Sequence, residues 1–313
     1  MLRYILGRLT GLIGVLLVVS ALTFFLMHAI PGGPYDMVAL QHAQMIPQDL
    51  LDRINHLNGL DKPVWQQYLI YLNNLLHFDF GYSYISSGRT IVEIFAEHWP
   101  YSAQIGGLTM IFSFAVGLFL GILSAMKRDT WIDRVITVLM LITQAMPSFI
   151  VALFLKLFFA VQLGWFPTQG WAGPNTWVLP VLANSGGPIL TLQRYTRGAM
   201  VDVMGSEYVR TARAKGLTER RVTLVHVFKN ALTPVVTVAG PMTASLMTGS
   251  FFVESMFRIP GLNWYLSGAI GNRDYPMIMA STMFYTAIMT IVYLVTDLLY
   301  AMIDPRVTYV KAR

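Results

Sequence analysis

Six apolar stretches dominate this sequence, of which five are long enough to cross a lipid bilayer as a helix and the fourth is shorter and the weakest. Roughly twenty apolar residues in a helix span the hydrocarbon core of a bilayer. Charged residues make up 12% of the chain, about half of the roughly 25% that soluble domains carry. The sequence therefore predicts an all-α membrane protein with about six transmembrane helices. The six stretches lie at about 9–30, 102–126, 135–161, 177–192, 231–256 and 279–303.

The distribution of Lys and Arg predicts how the chain is oriented in the membrane. Basic residues in short loops favour the cytoplasmic side, and 16 of the 22 lie on the side of the N-terminus. Both termini are therefore predicted to be cytoplasmic. The polar segment 31–98 would then lie outside, and its amphipathic stretches at 49–57 and 65–76 predict a small helical extracytoplasmic part. We expect four regions: 1–30 with the first helix, the extracytoplasmic segment 31–98, a five-helix domain at 99–304 with a cytoplasmic loop at 193–230, and a cytoplasmic tail at 305–313.

Several function classes are disfavoured by composition. The net charge of +6 could suggest nucleic acid, but the basic residues lie between apolar blocks and not on one water-exposed face. The chain has no Cys, and its six His residues form no metal-ligand pattern, so no metal site is expected. It also has no G-x-x-x-x-G-K-[ST] phosphate loop. A nucleotide site of this kind is therefore not expected in this chain.

The cytoplasmic loop carries the most informative motif. Ala212 and Ala214 favour a helix, and Gly216 is a natural helix stop. A short helix with small residues on one side and basic residues around it suits docking into a groove of a cytoplasmic partner. Alternatively, the cations serve only as topology signals. The docking candidates are Glu207, Tyr208, Arg210, Thr211, Ala212, Arg213, Ala214, Lys215, Gly216 and Leu217.

This loop resembles the EAA loop of ABC importer permeases, in the form found in the dipeptide and oligopeptide branch. Arg210 and Thr211 stand where the general pattern has Glu and Ala, while Ala212 and Gly216 match it. The long segment after the first helix is similar to that of the first permease of the branch. Further matches are Ile30-Pro31-Gly32, Gly59-Leu60-Asp61-Lys62-Pro63, Phe78-Asp79-Phe80-Gly81 with Ser83, Pro147-Ser148-Phe149, Leu163-Gly164-Trp165-Phe166-Pro167, Val253-Glu254, Pro260-Gly261-Leu262, Arg273-Asp274-Tyr275-Pro276 and Asp304-Pro305-Arg306.

The resemblance implies a type I permease fold and a role as one permease subunit of an ATP-driven importer of dipeptides or oligopeptides. It implies four kinds of partner: a second permease, two cytoplasmic ATPase domains that bind ATP and Mg, an extracytoplasmic binding protein, and membrane lipid. The location implied is the cytoplasmic membrane of a bacterium or archaeon. A modified peptide or a metal chelate stays open as the cargo, and no catalytic residue is expected in this chain.

Polar residues within membrane spans are candidates for the transport pathway, because they are costly in lipid. Gln144, Ser148 and Asn184 lie in blocks that Pro147 and Pro188 are predicted to break. They could line a water-filled path or be satisfied by neighbouring backbone. Glu254 could serve as a gate or as a loop anchor.

Two further interpretations concern packing. Gly117 and Gly121 form a G-x-x-x-G pair, which we expect to pack against another helix of the same chain. Lys156, near the outer end of the third block, is expected to extend its side chain to the membrane interface.

Two rival functions make different demands on the sequence. An ion-coupled secondary transporter would place acidic or His residues near the membrane midplane, whereas the acidic residues here lie near the ends of the blocks. A membrane enzyme would need a nucleophile and a base on neighbouring helices. Neither a G-x-S-x-G nor an H-E-x-x-H pattern is present.

Overall fold

The structure is a computed structural model that describes residues 2–29, 61–86 and 88–303. The amphipathic stretch at 49–57 and the motif residues at 30–33, 59–60 and 304–306 lie outside these residues. Twelve α-helices are described: α1 (Leu2–Ala29), α2 (Val64–Leu76), α3 (Ile91–Met126), α4 (Trp131–Ala145), α5 (Ser148–Leu155), α6 (Pro174–Met204), α7 (Glu207–Ala214), α8 (Glu219–Arg221), α9 (Lys229–Met247), α10 (Phe251–Met256), α11 (Leu262–Gly271) and α12 (Tyr275–Ile303). Two π-helical segments, Lys156–Gln162 and Val222–Phe228, follow α5 and α8 directly.

The membrane spans predicted from the apolar blocks are largely present as helices. By length and composition, four described helices could cross a membrane, and a bent pair, Trp131–Ala145 with Ser148–Gln162, could form a fifth span. The remaining block lies in α6, which at 31 residues is long enough to cross a bilayer. It carries Arg194, Arg197 and Asp202 towards its C-terminus. The all-α membrane fold is therefore confirmed.

Of the two helix breaks predicted at prolines, one is present and one is wrong. α4 meets the helix Ser148–Gln162, which comprises α5 and the π-helical segment after it, at an angle of 101°, because Met146, the residue before Pro147, has an extended backbone with ψ of 121°. α6, in contrast, continues through Pro180 and Pro188 without interruption. A proline is tolerated inside a membrane helix where neighbouring protein satisfies the freed backbone groups.

Other predicted boundaries differ from those of the helices. The cytoplasmic loop was expected from 193, but α6 continues to Met204. The fifth block was expected to reach 256, but α9 ends at Met247, and Gly249 then turns the chain with a φ of +84°. Only glycine adopts this left-handed conformation without strain. α3 begins at Ile91, so the expected boundary at 98 lies inside a helix.

The chain forms two compact units, of which the first comprises 1–100 and 262–288. In this unit α2 packs on α1 through Tyr68, whose hydroxyl lies 3.0 Å from Ser20 Oγ. The ring of Tyr71 stacks on that of Phe24. A second cluster joins the start of α3 to α11 and to the start of α12, and its buried members include Ile91, Ile94, Phe95, Leu262, Ala269, Met277 and Ala280.

The second unit, 101–261 with 289–313, is packed through glycines. A side-chain carbon added at Gly117 would lie 2.7 Å from Leu192 Cβ, and one at Gly121 would lie 2.5 Å from Thr196 Cβ. Both contacts are too short for real carbon atoms, so α3 approaches α6 closely only because these residues are glycines. The expected packing of the G-x-x-x-G pair within one chain is confirmed.

Candidate functional site

The candidate docking motif forms a short helix, α7, with a well-defined end. Gly216 adopts a left-handed conformation with a φ of +79°. Its N–H donates to the carbonyl of Arg213 at 2.9 Å, and the N–H of Leu217 donates to the carbonyl of Ala212 at 3.4 Å. These two bonds define the Schellman motif, a common helix ending that requires glycine or asparagine at this position. The chain direction after α7 is therefore fixed by Gly216.

One face of α7 is buried in the second unit. Val209 is fully buried and Ala212 is 6% exposed. They belong to a hydrophobic cluster with Met200 of α6 and Val227 in the following π-helical segment, and the half-buried Leu217 packs against it. Successive residues of a helix point in different directions, so Ala212 faces the hydrophobic cluster while the residues next to it in the sequence do not. The structure therefore gives Ala212 a role in packing.

Beside the buried strip, the surface of α7 is exposed and carries most of the remaining candidates. Tyr208, Thr211 and Lys215 recur at helical spacing on this face, and the side chain of Tyr208 is 47% exposed. Two arginines of the motif are held by neighbouring acids. Arg210 pairs with Glu207 at 3.0 Å, and Arg213 donates two hydrogen bonds to the carboxylate of Glu219, at 2.8 and 3.2 Å.

The docking motif is attached directly to a membrane span. α8, the π-helical segment and α9 follow one another without a break and form one apolar helix of 29 residues, Glu219–Met247. The pair between Arg213 and Glu219 joins the end of α7 to the start of this helix. A force on the exposed face of α7 would therefore be transmitted to the span and not absorbed by a flexible loop.

A buried polar cluster, which the sequence analysis missed, holds three helices together near this motif. Asp133 of α4 is 4% exposed and accepts two hydrogen bonds from Arg197 of α6, at 2.8 and 2.6 Å. Ser124 of α3 also donates to Asp133 and itself accepts from Gln193 at 3.3 Å. An acidic residue at the edge of an apolar block is a signal for such a cluster, but the partner of Asp133 lies 64 positions away.

A cavity of about 490 Å³ opens beside α6 in the same unit. Its volume lies in the range of pockets that take small molecules. Gln144, one of the four pathway candidates, lines it. The other lining residues are Leu190, Thr191, Arg194, Tyr195, Gly198, Ala199, Asp202 and Pro234.

The three other pathway candidates lie elsewhere. Ser148 begins α5, and Asn184 lies half-buried in the middle of α6. Glu254 of α10 is fully buried, and its Oε1 accepts a hydrogen bond from the N–H of Ser250 at 3.3 Å. Its carboxyl lies so close to Gly261 that no side-chain carbon would fit there. The geometry of Glu254 thus favours the loop anchor over the gate.

Lys156 also binds the chain at the end of α10, next to the loop that Glu254 anchors. Its Nζ donates a 2.7 Å hydrogen bond to the carbonyl of Met256, the last residue of α10. The side chain that was expected to extend to the membrane interface is instead bound within the protein.

Comparison with known proteins identifies the family. Residues 117–309 match the family described as "Binding-protein-dependent transport system inner membrane component", and residues 1–104 match its N-terminal companion. The chain is 36% identical to the dipeptide transport system permease protein DppB of Lactococcus lactis over 98% of this chain and 99% of the relative. It is 34% identical to the oligopeptide transport system permease protein OppB of Salmonella typhimurium over 99% of this chain and all of the relative.

The fold agrees with this assignment. A solved structure of the MetNI methionine ABC transporter in an inward-facing conformation superposes with a TM-score of 0.57, at 16% identity, over 68% of this chain and 97% of that one. Members of the family are transport components that work with an ATPase and a binding protein, and they are not enzymes themselves. The chain belongs to the binding-protein-dependent inner-membrane permeases of ABC importers.

Proposed function

We propose that this chain forms half of the membrane pathway of an importer for dipeptides or oligopeptides. Two relatives that cover nearly its whole length are a dipeptide and an oligopeptide permease, which supports a peptide cargo. A second permease would supply the other half of the pathway. Two cytoplasmic ATPase domains would bind ATP and Mg, and an extracytoplasmic binding protein would deliver the peptide.

The observation that carries this proposal is the way α7 is attached to the rest of the second unit. Its buried face fixes it to the second unit through Val209 and Ala212, and its exposed face presents Tyr208, Thr211 and Lys215. We infer that the exposed face docks into a groove of the ATPase. Closure of the ATPases on ATP would then move α7 together with the helix Glu219–Met247 and change the access of the pathway.

Co-purification tests the assembly. The chain would be expressed with its neighbouring genes, purified by a tag under gentle conditions, and assayed for ATP hydrolysis. We expect a second permease and ATPase chains in the complex, and hydrolysis stimulated by the binding protein loaded with peptide. A chain that purifies alone, without ATPase, would contradict the importer and favour an ion-coupled carrier.

The orientation belongs to the same proposal. Cytoplasmic termini would place α7 inside and the segment 31–98 outside. Because the chain has no Cys, single cysteines introduced at exposed residues can be labelled cleanly. In cells that lack the ATPase, so that α7 is not covered, a membrane-impermeant maleimide should label Tyr82→Cys in intact cells and Tyr208→Cys only after permeabilisation. The reverse pattern would overturn the orientation.

A further inference from the structure

We propose that Arg194 and Asp202 of α6 bind the two charged ends of a short unblocked peptide in the cavity beside α6. This inference rests on the proposed peptide cargo and adds the residues that would recognise it. The carboxylate end of the peptide would pair with Arg194, and its ammonium end with Asp202.

The two charges are available to a ligand. Both side chains are exposed in the cavity wall. Within the part of the chain that the structure describes, neither makes a hydrogen bond or an ion pair. Arg197, three residues from Arg194, is not available in this way, because its guanidinium is already hydrogen-bonded to Asp133. Arg194 thus keeps the planar set of donors that matches a carboxylate in two parallel hydrogen bonds.

The spacing of the charges sets the length of the ligand. Eight residues of an α-helix separate Arg194 from Asp202, which corresponds to about 12 Å along the axis of α6. An extended peptide covers about 3.3–3.6 Å per residue. The ends of a peptide of three or four residues would therefore reach both side chains at once, and the cavity of about 490 Å³ has room for it.

The rest of the wall suits a peptide backbone of any sequence. Gln144 and Tyr195 offer uncharged polar groups, and their side chains also have no hydrogen-bond partner among the described residues. Leu190 and Pro234 add apolar surface. Recognition would thus depend on the two charged ends, which all unblocked peptides share. The side chains of the peptide would contribute little to binding.

Asp202 lies two helical turns closer to α7 than Arg194 does, because α6 ends at Met204 and α7 begins at Glu207. The ammonium end of the bound peptide would therefore point towards the docking helix. In the proposed orientation this is the cytoplasmic side, so the peptide would leave amino end first.

Equilibrium binding to the purified complex of permeases and ATPases, without the binding protein, tests the site directly. The probes are radiolabelled trialanine, its C-terminal amide and its N-acetyl form. With the wild-type complex we expect each blocked form to bind about tenfold more weakly than trialanine, the loss typical of one charge-assisted interaction. Equal binding of all three forms would overturn the proposal.

Variants assign each end to its residue. Arg194→Gln should abolish the preference for a free carboxylate and keep the preference for a free amine, and Asp202→Asn should do the reverse. Arg134→Gln is the matched control, because Arg134 is exposed on α4, does not line the cavity, and has no side-chain partner among the described residues. If Arg134→Gln alters binding as much as Arg194→Gln, the assignment is wrong.

Uptake of trialanine by the complete system in proteoliposomes, with the binding protein, separates this proposal from the proposed function. Uptake together with equal binding of the blocked peptides would leave a peptide importer without this site. An absence of peptide uptake would reject the peptide cargo itself.

Discussion

Ser83 donates a 2.5 Å hydrogen bond from its hydroxyl to Oδ2 of Asp274, although 191 positions separate the two residues. Both side chains are buried. Asp274 also accepts a hydrogen bond from the N–H of Met277 at 3.3 Å and thereby caps the start of α12. This pair fixes the segment before α3 to the start of the last helix within the first unit.

Removal of this hydroxyl should destabilise the first unit. In Ser83→Ala, Asp274 loses a hydrogen-bond donor in a buried position, which should cost about 1.5–3 kcal/mol of unfolding free energy. The melting temperature of the purified complex, measured by fluorimetry, gives the readout. Ser86→Ala is the matched control, because its side chain has no hydrogen-bond partner among the described residues. Equal melting temperatures for the two variants would contradict the role of Ser83.

The buried pair of Asp133 and Arg197 predicts an asymmetric response to mutation. Arg197→Ala leaves Asp133 buried without its partner, which should cost about 3 kcal/mol, the lower end of the usual range because 31% of the Arg197 side chain is exposed. Arg197→Lys keeps the charge but loses the paired hydrogen bonds and should be intermediate. The double variant Asp133→Asn with Arg197→Met should be more stable than Arg197→Ala.

The order of stability of these variants can be measured from the protein level in the membrane and from the melting temperature of the complex. Arg134→Ala, at an exposed position on the same helix as Asp133, should resemble the wild type. If the double variant is no more stable than Arg197→Ala, then the loss comes from packing and not from an unpaired charge.

The sequence predicted the spans well because their signal is local. An apolar block of about twenty residues indicates a helix whatever its neighbours are, and Pro147 indicates a break because it constrains the residue before it. Pro188 shows the limit of such local signals. Its missing N–H is harmful only where no neighbouring group compensates, and that depends on packing against other helices.

Contacts between residues far apart in the sequence show the same limit more clearly. Ser83 and Asp274 each belong to a motif that the sequence analysis recognised, but nothing in the sequence pairs them. Ala212 was placed with the docking residues by its small size, whereas its burial is decided by the direction of α7 relative to Met200 and Val227. Gln144 was predicted as a pathway candidate because an uncharged polar group beside a break in a span is locally unusual, and the structure places it in the wall of the cavity beside α6.

The glycines of α3 predict different outcomes for one conservative substitution. Gly121→Ala would place a carbon 2.5 Å from Thr196 Cβ, so α3 and α6 must move apart at a cost of about 1–3 kcal/mol. Gly107→Ala on the same helix meets no atom within 4 Å and should stabilise the helix slightly. The melting temperatures of the two variants should therefore change in opposite directions, and a common direction would contradict the close contact.

Gly216 should be needed for its conformation and not for its size. A Cβ there meets no atom within 4 Å, but the φ of +79° is left-handed. Gly216→Ala should therefore cost about 1–2 kcal/mol and loosen the end of α7. We expect a several-fold loss of ATP hydrolysis stimulated by the loaded binding protein, with normal protein levels in the membrane.

Gly205→Ala, in the turn before α7, provides the comparison. Gly205 has a right-handed φ of −78°, and a Cβ there would make an ordinary 3.5 Å contact with the carbonyl of Asp202. This variant should keep the stimulated hydrolysis. Equal activity of the Gly205 and Gly216 variants would show that the Schellman ending is not needed for coupling.

The exposed face of α7 predicts where bulk should block the ATPase. Thr211 lies on this face, and its hydroxyl donates to the carbonyl of Glu207 at 3.0 Å. Thr211→Trp leaves the buried face of α7 untouched but fills the surface that would enter the groove. We expect the ATPase to bind at least about tenfold more weakly, as for a disrupted interface centre.

Titration of the solubilised permease pair with purified ATPase measures this affinity. Thr237→Trp serves as the control, since Thr237 is also exposed and also donates to the carbonyl four residues earlier, at 3.0 Å, but lies on α9. It should bind the ATPase normally. If Thr211→Trp binds the ATPase as tightly as Thr237→Trp, then the exposed face of α7 is not the docking surface and the cations of the loop serve membrane topology alone.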